Sequence, residues 1–177
     1  MVGEGRTSLE NEANRATPVA LASEQYAFAE HMDLHHWDKP QVTVFVEGGD
    51  TQQIVEKAAL LWNQPTQQVV QTVITDKPSA DILVRFVPAE SLPPQVLGRT
   101  TISYGALSGK LCHAVIAVQQ GLSEERCLQA VAHELGHALG IQGHSPYASD
   151  LMFDRAHLPA TVTQRDANTL RIGYGKL

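Results

Sequence analysis

The spacing of apolar residues changes along this chain, and each change predicts an element. In residues 41–46, Val42, Val44 and Val46 fall on one side and Thr43 and Phe45 on the other, the period-2 pattern of a strand. Gly48-Gly49-Asp50 reads as a turn leading into a helix cap. In residues 51–63, Ile54, Ala58, Leu61 and Trp62 share one helical face, and Pro65 is expected to end that helix. Residues 69–75 and 82–87 read as strands around an Asp76-Lys77-Pro78-Ser79 turn. Strand, helix, strand predicts a right-handed crossover and a largely parallel sheet. Residues 88–97, with three prolines, read as loop. Residues 100–104 fit a short edge strand, and the apolar run 112–118 a strand buried on both sides. Residues 18–32 fit a short helix, with Leu21, Tyr26, Phe28 and Ala29 among its apolar positions.

The next helix carries the chemistry. Ser123 is a good N-cap, Glu124 and Glu125 suit the positive end of the helix dipole, and Leu122 and Cys127 are placed as a hydrophobic staple. Leu128, Val131, Leu135, Ala138 and Leu139 form an apolar stripe roughly opposite His133 and His137. Those two histidines are four apart, so one metal ion can reach both. Glu134 lies about 100° further round, beside the metal without ligating it, as a general base for a metal-activated water must. Gly140 lets the chain leave the helix, and His144 returns from the turn as a third nitrogen ligand. Three protein ligands with a fourth position for water are the pattern of a catalytic zinc site.

His133-Glu134-x-x-His137, then Gly140, His144 and the later Met152, resembles the metzincin zinc peptidases, and most closely their matrixin branch. Residues 37–46, a helix at 50–64, residues 80–87 and the closing helix that starts Thr163-Gln164-Arg165-Asp166 follow the matrixin catalytic domain in order and spacing. The resemblance implies an α+β fold: a mixed twisted sheet, an active-site helix, a Met-turn at Ser149-Asp150-Leu151-Met152-Phe153 and a C-terminal helix. It covers residues 37–177 and leaves 1–36 as an N-terminal extension, a lead-in plus short helix that is either packed on the surface or the remnant of a prosegment. It implies a zinc-dependent endopeptidase, with Met152 packed beneath the histidines as a structural residue. It also places Phe153 and His157 in the wall of the pocket after the scissile bond. The edge strand, through Thr101 and Ser103, would pair with an extended polypeptide substrate.

This chain departs from that pattern in places. The family spacing puts the third histidine at 143, but position 143 is glycine, so one residue has been added and His144 is the expected ligand, with Asp150 as its substitute. Asp154 stands where astacin-like relatives carry a tyrosine, so no tyrosine ligand is expected. No counterpart of the matrixin structural zinc and calcium loops lies between Pro88 and Cys112, which leaves calcium open. No cysteine precedes Cys112, so no cysteine switch is expected; Asp33 is a candidate zinc cap in its place. His31, His35 and His36 are read as surface histidines, with a second metal site as the alternative, and His113 as a strand residue. Tyr104 and Tyr147 are expected to be structural. The rival to an active peptidase is a non-catalytic zinc-binding or protein-binding module in which the added residue has spoiled the third ligand.

Composition narrows the partners. The chain has 177 residues, 43% hydrophobic and 18% charged, enough for one domain with a real core. A net charge of −6 argues against nucleic acid or an anionic membrane surface. No apolar run reaches the length of a membrane span. The expected form is a monomer acting on polypeptide. No leader is visible in residues 1–14; export is still expected, with the cytoplasm open. Cys112 and Cys127 are read either as one disulfide or as two buried thiols. Thr163 and Asp166 look like a capping box for the last helix, which Gly173 is expected to close.

Overall fold

The computed structural model describes residues 35–48, 51–66, 69–156 and 158–175. The expected helix at 18–32, His31 and Asp33 fall outside them, as do the Gly49-Asp50 cap and His157. The order is β1 (Gln41–Val46), α1 (Gln52–Thr66), β2 (Gln71–Ile74), β3 (Ile82–Val87), β4 (Gly98–Tyr104), β5 (Leu111–Gln119), α2 (Glu124–Leu139) and α3 (Gln164–Gly173). The strands make one sheet in the order β2-β1-β3-β5-β4. β1 pairs in parallel with β2 and β3, and β3 with β5, while β4 runs antiparallel at the edge. Among the described residues the architecture is therefore α+β, with a five-stranded mixed sheet and three α-helices. No described helix is long and apolar enough to cross a membrane.

Register explains where the core sits. Val44, Ile82, Ala114 and Ile102 line up across four strands, and Val46, Val84, Ile116 and Thr100 form the next row. All eight are buried. Because successive side chains alternate faces, these rows share one face of the sheet, and α2 packs against its β4 and β5 end. α1 packs on α2 in turn, and the Trp62 indole donates to the Ala132 carbonyl at 2.7 Å. The Trp37 indole donates to Ala138 O at 2.9 Å, tying the start of the described chain to the other end of α2. Enclosure from several sides widens the predicted stripe on α2. Gln129, Ala130, Ala132 and Gly136 are buried along with Val131, Leu135, Ala138 and Leu139, whereas Leu128 is only partly buried.

Several local expectations need correction. α1 runs past Pro65 to Thr66, because a proline in the last turn removes only one donor and Thr66 Oγ1 bonds back to Trp62 O at 2.6 Å. β2 begins at Gln71, since the amides of Val69 and Val70 are held by Thr66 O in a turn. β5 is buried on one face only: Ala114, Ile116 and Val118 are enclosed, but Val115 and Ala117 are half exposed. α3 does end at Gly173, yet Tyr174 is its cap and Gly175 takes the positive φ, 64°. Both cysteines are free thiols, Cys112 exposed and Cys127 buried, so neither reading of the pair holds. His35 is no surface residue: it is buried, stacks on Tyr104 with centroids 3.7 Å apart, and its Nδ1 lies 2.7 Å from Gly109 O.

Candidate metal centre

α2 is capped as its sequence predicts. Ser123 accepts from the Arg126 amide, and at the far end Gly140 adopts φ 127°, which a side chain would strain. The helix carries His133, Glu134 and His137 into a cleft of about 650 Å³. Its walls include 95–100 before and within β4, His144 and 153–156.

The three histidines converge. The Nε2 atoms of His133 and His137 are 3.2 Å apart, as are those of His144 and His133. The donor atoms of all three lie within 4.8 Å of one another. Backbone carbonyls set the tautomers. His133 Nδ1 lies 2.8 Å from Leu151 O and His137 Nδ1 2.7 Å from Ile141 O. A carbonyl can only accept, so each Nδ1 carries the proton and each Nε2 of a neutral ring offers a lone pair. Facing lone pairs at this distance repel unless a cation lies among them. Nitrogen ligands at about 2.0–2.1 Å from a tetrahedral ion stand roughly 3.3–3.4 Å apart, close to what is seen here. The group can therefore hold a metal ion.

The electrostatics agree with that chemistry. Burial, reinforced by His133 and His144 and opposed by the Ile141 carbonyl, holds His137 well below the ordinary histidine range. Burial and His133 bring His144 down to about 4. Both rings are thus neutral at neutral pH, the form that ligates metal.

Glu134 is buried beside the cluster. Thr100 Oγ1 lies 2.6 Å from its Oε2 and 3.0 Å from its main-chain carbonyl. A Cβ on Gly98 would fall 2.7 Å from Glu134 Cγ, so the carboxylate lies directly against the start of β4. Gly98 and Thr100 were not foreseen as site residues. Their only trace in sequence is parity, two positions apart on the face of β4 that Ile102 also occupies. The same parity turns Thr101 and Ser103 to the opposite face. Neither lines the cleft, so any hold they have on a peptide is through the backbone of this edge strand.

The segment after His144 folds back beneath the histidines. Met152 is fully buried, and a Cβ on Gly136 would strike its Sδ and Trp62 Cζ2, so the thioether packs on the helix backbone between the two histidine turns. α3 holds this segment in place. Its N3 residue Asp166 closes the capping box with Thr163 and also accepts from the Leu151 and Met152 amides at 3.0 and 3.3 Å. Since Leu151 O in turn orients His133, the cap of α3 reaches a ring of the histidine cluster through one peptide.

Asp150 is not a substitute ligand. Its carboxylate is buried, gripped by Arg165 from Nη2 at 2.6 Å and Nε at 2.9 Å, with Ser145 Oγ at 2.5 Å and Thr163 Oγ1 at 3.0 Å. Burial alone would raise Asp150, but these partners outweigh it and hold the carboxyl below its usual range. Phe153 does line the cleft, joined by Asp154 and Arg155. Tyr147 stacks under the Arg165 guanidinium, 4.4 Å from ring centroid to Cζ. Compared with models of known protein families and with curated proteins, the chain gives no match.

Proposed function

We propose that this protein is a zinc-dependent endopeptidase built on a metzincin-like, matrixin-type catalytic domain. One observation carries the reading: three imidazole Nε2 atoms converge in a cleft where a buried carboxylate, Glu134, is held by a threonine from the adjoining edge strand. A purely structural site has no use for that carboxylate. The edge position of β4 supports polypeptide as the substrate, since an extended peptide can add to a sheet edge. Met152 beneath α2 supports the Met-turn comparison.

His133, His137 and His144 would hold the ion. When bound, zinc supplies Lewis acidity, which favours ionisation of a water and polarises a carbonyl. The chain's own residues do the rest. Leu151 O and Ile141 O lock two imidazoles in the ligating tautomer. Thr100 fixes the plane of the Glu134 carboxylate. Glu134 takes the proton of the attacking water and passes it to the departing amine. The 153–156 wall receives the side chain that follows the cut bond.

Glu134→Ala tests the assignment. Zinc content stays and casein cleavage falls by about 100-fold or more. Undiminished cleavage by that variant would refute the role given to Glu134. A wild-type protein that holds zinc and cuts no peptide would favour the binding-module alternative.

A further inference from the structure

His144 differs from the other two ligands in what supports it. His133 and His137 project from a buried helix, whereas His144 follows a positive-φ glycine, Gly140, and sits next to Gly143 in an irregular turn. Nothing in regular secondary structure fixes its backbone. On its far side, however, Ser145 is pinned twice. Its amide donates to Met152 O at 2.7 Å, and its hydroxyl donates to Asp150 Oδ2 at 2.5 Å. Asp150 is fully buried and held by Arg165 in a two-nitrogen fork, and Arg165 stacks on Tyr147. The Tyr147 amide returns to Ser145 Oγ at 3.1 Å. Residues 145–153 thus form a closed polar loop anchored on α3, with His144 at its mouth.

We infer that Ser145, Asp150 and Arg165 are positioning residues that set the aim of His144 and so the metal affinity of the site. The inference rests on the zinc reading above. An ion pair between a buried carboxylate in a loop and Arg165 on α3 is weak support for stability in general, because desolvation offsets the attraction. Its better attested use is to fix one geometry among several. Here the geometry fixed is that of the one ligand with no helix behind it. With Ser145 loosened, the backbone of His144 gains freedom that metal binding must remove, and the affinity falls by that cost. Partners outside the ligand set typically change metal affinity by about 10–100-fold.

The test is zinc affinity, by competition against a chromophoric chelator, for wild type, Ser145→Ala, Asp150→Asn, Arg165→Met and Arg165→Lys. Thermal unfolding of each metal-free protein is measured alongside. Zinc binding is expected to weaken about tenfold in Ser145→Ala and about 10–100-fold in Asp150→Asn and Arg165→Met. Arg165→Lys, which keeps the charge, is expected to recover part of the loss. Variants that melt lower but, while folded, bind zinc as wild type does would make the cluster merely structural and overturn the inference. Should Asp150→Asn fail to fold, Ser145→Ala decides, since it removes only the hydroxyl that bonds Asp150 and the Tyr147 amide and leaves the Asp150–Arg165 pair in place. Wild-type protein that binds no zinc would overturn the zinc reading and this inference together; normal wild-type binding with unchanged variants overturns this inference alone.

Discussion

Replacing Gly98 with alanine places a methyl group against the proposed base. The new Cβ would lie 2.7 Å from Glu134 Cγ, 2.9 Å from Oε1 and 3.1 Å from Cδ. Unstrained carbon–carbon contacts are about 3.5–4.0 Å, so the side chain must retreat by about 1 Å. The three atoms nearest the new methyl all belong to Glu134, and its Cα is fixed in α2, so the retreat falls on the carboxylate and loosens its 2.6 Å bond to Thr100. A misplacement of about 1 Å at a catalytic group costs about 100-fold in rate, or about 2.7 kcal/mol of barrier. The histidines are not among those nearest atoms, so zinc should remain. The assay is kcat/KM on a quenched fluorescent peptide, with zinc measured by mass spectrometry on the same samples. A rate within twofold of wild type would show that Glu134 does not need this placement. Loss of zinc in step with activity would show that the substitution acts on the metal and not on the base.

Other substitutions and conditions separate the parts of the account. Thr100→Val removes the hydroxyl beside Glu134 at nearly constant shape; kcat should fall at least about tenfold with zinc retained, and an unchanged kcat would deny Thr100 its part. Gly136→Ala drives a methyl into Met152 and Trp62, and overpacking of this kind costs about 1–3 kcal/mol; an unchanged denaturation midpoint would mean the packing beneath the helix is looser than described. Histidine pKa values lowered by folding mean that the unfolded chain binds more protons below its ordinary value of 6.5. The metal-free protein should therefore be fully stable above about pH 6.5 and lose stability as the pH falls, until His144 titrates near 4. Urea midpoints that stay flat between pH 7 and 4.5 would contradict the burial of these rings.

Much of the site was legible because its logic is local. His133, Glu134 and His137 share a helix whose caps, Ser123 and Gly140, are written within the same stretch. His144 follows by a short turn. The strands were legible for the same reason, since period-2 alternation belongs to consecutive residues. What could not be read depends on register between distant segments. Thr100 meets Glu134 across 34 positions; parity with Ile102 puts Thr100 on the inner face, but only the pairing of β4 with β5 brings it to Glu134. Asp150 looked like a spare ligand because carboxylates do bind metals. Its capture by Arg165 depends on how α3 docks, which no local pattern encodes. The same holds for α2, which reads as amphipathic but is enclosed by both the sheet and α1.

The most direct measurement is an anomalous difference map at the zinc edge, from crystals of zinc-loaded protein. The account predicts one strong peak bounded by the Nε2 atoms of His133, His137 and His144, each at about 2.0–2.1 Å. A map with no peak there, or with the His144 ring turned away and nothing in its place, would contradict it.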